Sequence, residues 1–280
     1  VLRELNEAGI FPEVVAGTSM GAIVGGFYSL GRLDELENFG KHLTNRKLLS
    51  LMDLTFTGHS FFSGKKLMAE VARTLNGAQF SDCVPRFGAV AVQCGSGNER
   101  WLREGDMARA IAASSALPGV LEPVKIGGVW HFDGALANPV PVSLARALGA
   151  DTVIAVSMYS DSMYRSRLLQ GVMDGTEEEP QIERAIDTSI LRFIPGFRKD
   201  TAEKPPPVAA VMGDALDLML DRIRRSKLAG DPPDVSINVR VDDAGMFDFH
   251  LAGALIEIGR RTARSMMPSV LETLGRGCQV

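Results

Sequence analysis

Val14-Val15-Ala16-Gly17-Thr18-Ser19-Met20-Gly21-Ala22-Ile23-Val24-Gly25-Gly26-Phe27 passes from a short apolar run, through Gly-x-Ser-x-Gly, into a glycine-rich helical pattern. A serine therefore stands where a buried strand turns sharply into a helix, the arrangement of a nucleophile elbow. The turn is tight. A side chain two residues to either side of the serine would meet neighbouring backbone, which is the reading given to Gly17 and Gly21. The same turn lifts the Ser19 hydroxyl clear of the sheet. A helix that opens at Met20 aims its unpaired amides, and the positive end of its dipole, at the space beside that hydroxyl. Negative charge develops there when an acyl group is transferred.

A second motif lies far downstream, His131-Phe132-Asp133-Gly134-Ala135. Val129 to Phe132 reads as a strand, Asp133 opens the loop that leaves it, and Gly134 is free to take backbone angles closed to other residues. Taken alone, an aspartate at a strand end caps the turn that follows. Taken with Ser19, it is also a candidate base for a serine hydroxyl.

The pair, Gly-x-Ser-x-Gly near the start and Asp-Gly-Ala later, resembles the patatin-like phospholipases. Further stretches carry the likeness: Gly9-Ile10, Gly105-Asp106, Ala108 to Ser114, Leu117-Pro118-Gly119, Asn138-Pro139-Val140-Pro141 and Ala147 to Asp151 ahead of Val153 to Val156. The resemblance is nearly continuous to residue 157, weakens after Met158 and returns faintly around Phe247 to His250. It implies a Ser-Asp dyad without histidine, with Ser19 as nucleophile and Asp133 as general base. The Met20 amide becomes an oxyanion donor, and Gly17, Gly21 and Gly134 are the motif glycines. It implies a serine esterase of lipid metabolism that degrades phospholipid or lysophospholipid through an acyl-enzyme. No metal or organic cofactor is called for. Of three departures from the family's pattern, the first is slight, since Ala135 keeps the second motif within the usual Asp-Gly-Gly or Asp-Gly-Ala, and the second is Ala91-Val92-Gln93-Cys94 in place of the usual Ala-Thr-Asp after the middle strand. A third concerns the start. The family carries a glycine-rich oxyanion loop just upstream of a helix like Val1-Leu2-Arg3-Glu4-Leu5, so the chain reads as a fragment whose first strand and remaining oxyanion donors lie upstream of Val1.

A chain of 280 residues, 45% of them hydrophobic, buries a sizeable core. Lys and Arg total 30 against 34 Asp and Glu, a net charge of −4 that gives no overall attraction for nucleic acid. Cys83, Cys94 and Cys278 are odd in number and widely spaced, which indicates neither a disulfide framework nor a zinc site and fits a reducing cytoplasm, with peripheral membrane contact left open. Targeting signals are unreadable in a chain that begins inside a helix. Val14 to Gly31 is uncharged and long enough to raise a membrane span, but its glycines and Thr18, Ser19 and Ser29 suit a strand and a closely packed helix better.

Alternating strand and helix patterns argue for an α/β fold, three layers in which a mostly parallel central sheet is covered on both faces. Helices are expected at Leu33 to Leu43, Arg46 to Met52, Lys65 to Leu75, Asp106 to Ala116, Val140 to Leu148 and Phe249 to Leu274; strands at Phe87 to Val92, Arg100 to Leu102 and Thr152 to Val156. Residues 1–157 form the catalytic core, 158–207 a variable lid or linker, and 208–280 helical and strand elements completing the same domain. Val208, Val211, Met212, Ala215, Met219 and Ile223 mark one apolar helix face, followed by Arg222, Arg224, Arg225 and Lys227. That pattern reads as a stable, partly exposed helix ahead of a membrane-facing one. Of His42, His59, His131 and His250, the last follows Asp133 in the Ser-Asp-His order of α/β-hydrolases, so a conventional triad remains an alternative to the dyad. A lipid-binding relative without turnover is the non-enzyme alternative.

Overall fold

Residues 1–44, 64–159, 208–241 and 251–275, with Lys47, Ser50 and Leu51, are described by the structure, a computed structural model. Helix α1 (Leu2–Glu7) leads through Gly9, in the left-handed region at φ 73°, into strand β1 (Val14–Thr18), and α2 (Met20–Ser29) leaves it at once. Next come α3 (Leu33–Lys41), α4 (Lys65–Leu75), β2 (Arg86–Gln93) and β3 (Glu99–Leu102). The expected turn at Gly95-Ser96-Gly97-Asn98 joins β2 to β3, closed by the Gln93 amide on the Asn98 carbonyl at 3.0 Å. Helix α5 (Met107–Ser114) is capped by Asp106, whose Oδ1 accepts the Arg109 amide at 2.6 Å, as its sequence suggests. Strands β4 (Val124–Ile126) and β5 (Val129–Asp133) meet at Gly127-Gly128. Helix α6 (Val142–Ala147), β6 (Ile154–Tyr159), α7 (Val208–Gly230), β7 (Val235–Arg240) and α8 (Ala252–Thr273) complete the described elements. Strand β6 runs two residues into the stretch that the sequence assigns to the insertion.

The class is the expected three-layer α/β/α. β1–β2 and β6–β7 pair in parallel, while β3, β4 and β5 add an antiparallel border. β2 is buried along nearly its whole length because both its faces are covered, which is why it reads as a continuous apolar run. Phe87, Ala89 and Ala91 face a core shared with Phe27 of α2 and Met107 and Ile111 of α5. On the other face, Gly88 lies under α6, where a Cβ would come within 3.0 Å of Leu148 and 3.2 Å of Leu144. α2 sits hard against the sheet because of Gly25 and Gly26. A Cβ on Gly25 would be 2.9 Å from both Phe87 and Val15, and one on Gly26 would be 2.8 Å from Ile111. Glu4 of α1, buried, is held by Arg260 and Arg264 of α8, and the two helices cover β7 through Leu5, Ile10, Ile237 and Val270.

Two motif glycines play roles other than those expected. Gly21 has open space around its Cβ position; the crowding belongs to Gly17, whose Cβ would run into the Gly21 carbonyl. Gly134 does not adopt a positive φ. Its Cβ would collide with the Val90 carbonyl oxygen, so close approach requires this glycine.

Candidate active site

β1 and β5 lie in tandem along one edge of β2 and run towards each other. β1 climbs that edge in parallel, ending with Thr18 opposite Val90. β5 descends it antiparallel, ending with Asp133 opposite Ala91. β3 takes the other edge, opposite Ala89 to Val92. The two strand ends therefore converge on neighbouring residues of β2, and Ser19 and Asp133, 114 residues apart in sequence, are brought together.

At the meeting point Ser19 Oγ donates to Asp133 Oδ2 at 2.7 Å. Ser19 has φ 55° and ψ −120°, a conformation that side chains rarely adopt and that costs on the order of 1–3 kcal/mol. The surroundings hold it there. Gly17 leaves room for the turn, and the Ser19 amide donates to the hydroxyl of buried Ser114, at the end of α5, at 3.0 Å. Thr18 is tied as well, its hydroxyl donating to the Asn138 carbonyl at 2.8 Å. With Ser19 N–H occupied and the Ala22 and Ile23 amides bonded to the Ser19 carbonyl, Met20 and Gly21 have no intrahelical partner for theirs.

Asp133 is 1% exposed, and its two oxygens divide the work. Oδ1 accepts the Ala135 amide at 2.8 Å and so caps the short 3-10 turn Gly134–Leu136; Oδ2 takes the Ser19 hydroxyl. The carboxylate thus caps the turn and meets the serine hydroxyl at once. Burial pushes its carboxyl up to about 6 against the lowering effect of those two hydrogen bonds. Ser19 itself is only half-buried.

Behind the pair is a polar network that the sequence reading did not assign. Asn138, 2% exposed, donates from Nδ2 to Glu99 Oε1 at 2.9 Å and to Ser143 Oγ at 3.1 Å. Glu99 also accepts from the Trp101 indole at 2.7 Å and from Lys227 of α7 at 3.2 Å. Burial raises the Glu99 carboxyl, but bonds from Asn138, Trp101 and Lys227 outweigh it and hold the group below the usual range. Asn138 and Ser114 both lie in stretches that carry the family likeness, but no role follows from the sequence for either, and nothing local marks Glu99, since their partners are distant in sequence.

The histidines divide. His131 shares a strand face with Asp133, but it is buried and its Nδ1 lies 3.0 Å from the Val129 carbonyl oxygen. His42 pairs with the Asn38 carbonyl one turn back in α3. His59 and His250 lie outside the described residues. Among the described residues no three His, Cys, Asp or Glu side chains group as metal ligands, and no helix is long and apolar enough to cross a membrane. A concavity of about 770 Å³ opens near Phe11, Glu13, Cys83 and Arg86, at the opposite end of β1 and β2 from Ser19.

The chain is similar to several known proteins. An uncharacterized NTE family protein of Mycobacterium tuberculosis is 27% identical over 311 residues, covering 94% of this chain and 85% of that protein. Patatin-like phospholipase domain-containing protein 6 of Homo sapiens is 30% identical over 167 residues, 57% of this chain but 12% of the human protein. Lysophospholipase NTE1 of Pyricularia oryzae is 24% identical over 267 residues, 92% of this chain and 17% of that one. The family model for patatin-like phospholipases matches residues 1–146, the span that contains both Ser19 and Asp133. On that match, the chain belongs to the patatin-like phospholipase family.

Proposed function

We propose that the protein is a serine lipid acyl hydrolase that cleaves carboxylic esters of phospholipids or lysophospholipids with Ser19 and Asp133 as a catalytic dyad. The observation that carries this reading is the 2.7 Å hydrogen bond from Ser19 Oγ to the buried Asp133 carboxylate. Asp133 Oδ2 accepts the hydroxyl proton as Ser19 Oγ attacks the ester carbonyl. The tetrahedral intermediate puts its negative charge beside the Met20 and Gly21 amides at the start of α2. Collapse breaks the bond to the alcohol, which leaves with the proton from Asp133. Asp133 then takes a proton from water as the hydroxide attacks the acyl-enzyme, and collapse breaks the bond to Ser19 Oγ, which takes that proton back from Asp133 as the free acid leaves. A carboxyl raised to about 6 is a better proton acceptor than an ordinary aspartate and is still ionised at neutral pH.

Lysophospholipase is the activity in the name of the fungal relative, and it supports the substrate class. Substrates of this kind reside in membranes or micelles, so the protein works in contact with a lipid surface. The test is hydrolysis of lysophosphatidylcholine, phosphatidylcholine and p-nitrophenyl butyrate by the full-length protein. Ser19→Ala and Asp133→Asn should each abolish turnover in a folded protein, with His250→Ala retaining most of it. Loss in His250→Ala as complete as in Ser19→Ala would replace the dyad by a triad.

A further inference from the structure

No residue of α7 from Val211 to Gly230 is fully buried, although the helix is 23 residues long and strongly apolar on one side. Val211, Met212, Leu218 and Met219 are 49%, 64%, 52% and 52% exposed, and Ala215 is exposed between them. Their spacing of three, four and seven residues puts them in one stripe. This is the apolar face read in the sequence, and the fold turns most of it outward.

The other end of the helix is fixed. Lys227 reaches Glu99, which holds Asn138 behind Thr18, and Leu228 joins the cluster of Val142 and Val153. Helix α7 also touches the turn Gly134–Leu136 that follows Asp133. From Lys227 the helix extends about 14 Å to Leu218 and about 24 Å to Val211, at 1.5 Å per residue.

We propose that this stripe is the docking surface by which the protein settles on a phospholipid bilayer or micelle. The inference rests on the lipid-hydrolase reading, which requires such contact, and assigns it to a place. Three observations favour lipid. The stripe continues into exposed Arg222, seven residues after Ala215, which suits anionic headgroups beside an inserted apolar edge. Of the acidic residues, exposed Asp214 flanks the stripe beside Leu218, whereas Asp217 and Asp221 lie on the other side of the helix, and Asp221 is neutralised by Arg224 and Arg225. The stripe is one helix wide and made by Val211, Met212, Ala215, Leu218 and Met219, where a stable dimer takes about 20–30 residues a side. With charges along its other faces, α7 lies on the membrane and does not span it.

The experiment uses the full-length Ser19→Ala protein, so that vesicles stay intact and binding is separated from catalysis. Flotation with phosphatidylcholine vesicles, with and without phosphatidylglycerol, is compared for this protein and for versions adding Met212→Asp with Met219→Asp, or Arg222→Glu. The double change should lower vesicle binding by about tenfold or more, since two charged side chains replace apolar groups at the interface. Arg222→Glu should remove the gain due to phosphatidylglycerol. With Ser19 intact, the double variant should hydrolyse p-nitrophenyl butyrate at the unmodified rate. Unchanged vesicle binding in the double variant overturns the proposal. So does a dimer, seen by light scattering, that the double change dissolves while vesicle binding persists. Failure of the unmodified protein to hydrolyse p-nitrophenyl butyrate would instead fault the catalytic reading.

Discussion

Asp133 shows how one residue can be set against the stability of its own fold. Folded, its carboxyl titrates near 6 because it is buried; unfolded, it returns to about 3.8. Between those values the folded chain holds a proton that the unfolded chain has lost, so this group's contribution falls as pH rises through that window and stays low above it. Asp133→Asn removes the cost of the buried charge, keeps an oxygen for the Ala135 amide and should stabilise the neutral-pH fold by on the order of 2 kcal/mol. The same change should abolish esterase turnover. Calorimetry at pH 7.5, alongside the ester assay, checks both. The acid limb of kcat/KM should likewise fall with an apparent pKa near 6, as Asp133 becomes protonated; a limb near 4 would mean that Asp133 is not the base. Ser114 acts through Ser19. Ser114→Ala leaves the Ser19 amide without its acceptor, a loss of roughly 1–3 kcal/mol for a buried donor, and should lower kcat about tenfold or more at nearly constant KM. Ser114→Thr, which restores a hydroxyl, should recover much of it.

The two glycines of Gly-x-Ser-x-Gly look equivalent in the sequence and differ in the strand–helix unit. Gly17→Ala would drive a methyl into the Gly21 backbone, whereas Gly21→Ala meets open space at a helical position. The first should yield insoluble or inactive protein; the second should fold with a thermal midpoint within a few degrees of the original, as circular dichroism would show. β1, β2, α2 and the Asp106 cap of α5 were legible because short-range pattern dictates them. α7 was legible as a helix, but not in its orientation. Periodicity identifies an apolar face without saying whether protein, solvent or lipid will cover it.

Across the whole molecule, contacts between residues far apart in sequence are what the sequence hid. The tandem placement of β1 and β5 on one edge of β2, the Ser114 hydroxyl behind Ser19 and the Glu99–Asn138–Lys227 network all depend on strand order and register. From the sequence, only likeness to a family places Ser19 and Asp133 in one site. The topology also leaves β1 paired only with β2, and β6 only with β7, among the described strands. Helix α6 bridges them, touching β1 while its Val142 packs with Val153 and Ala155 beside β6. The dyad itself is tested most directly by labelling the full-length protein with a fluorophosphonate and mapping the adduct by mass spectrometry across pH 4 to 8. The account predicts a single adduct on Ser19, a labelling rate that rises through about pH 6, and loss of labelling in Asp133→Asn. An adduct on another residue, or labelling of Asp133→Asn at the unmodified rate, would contradict it.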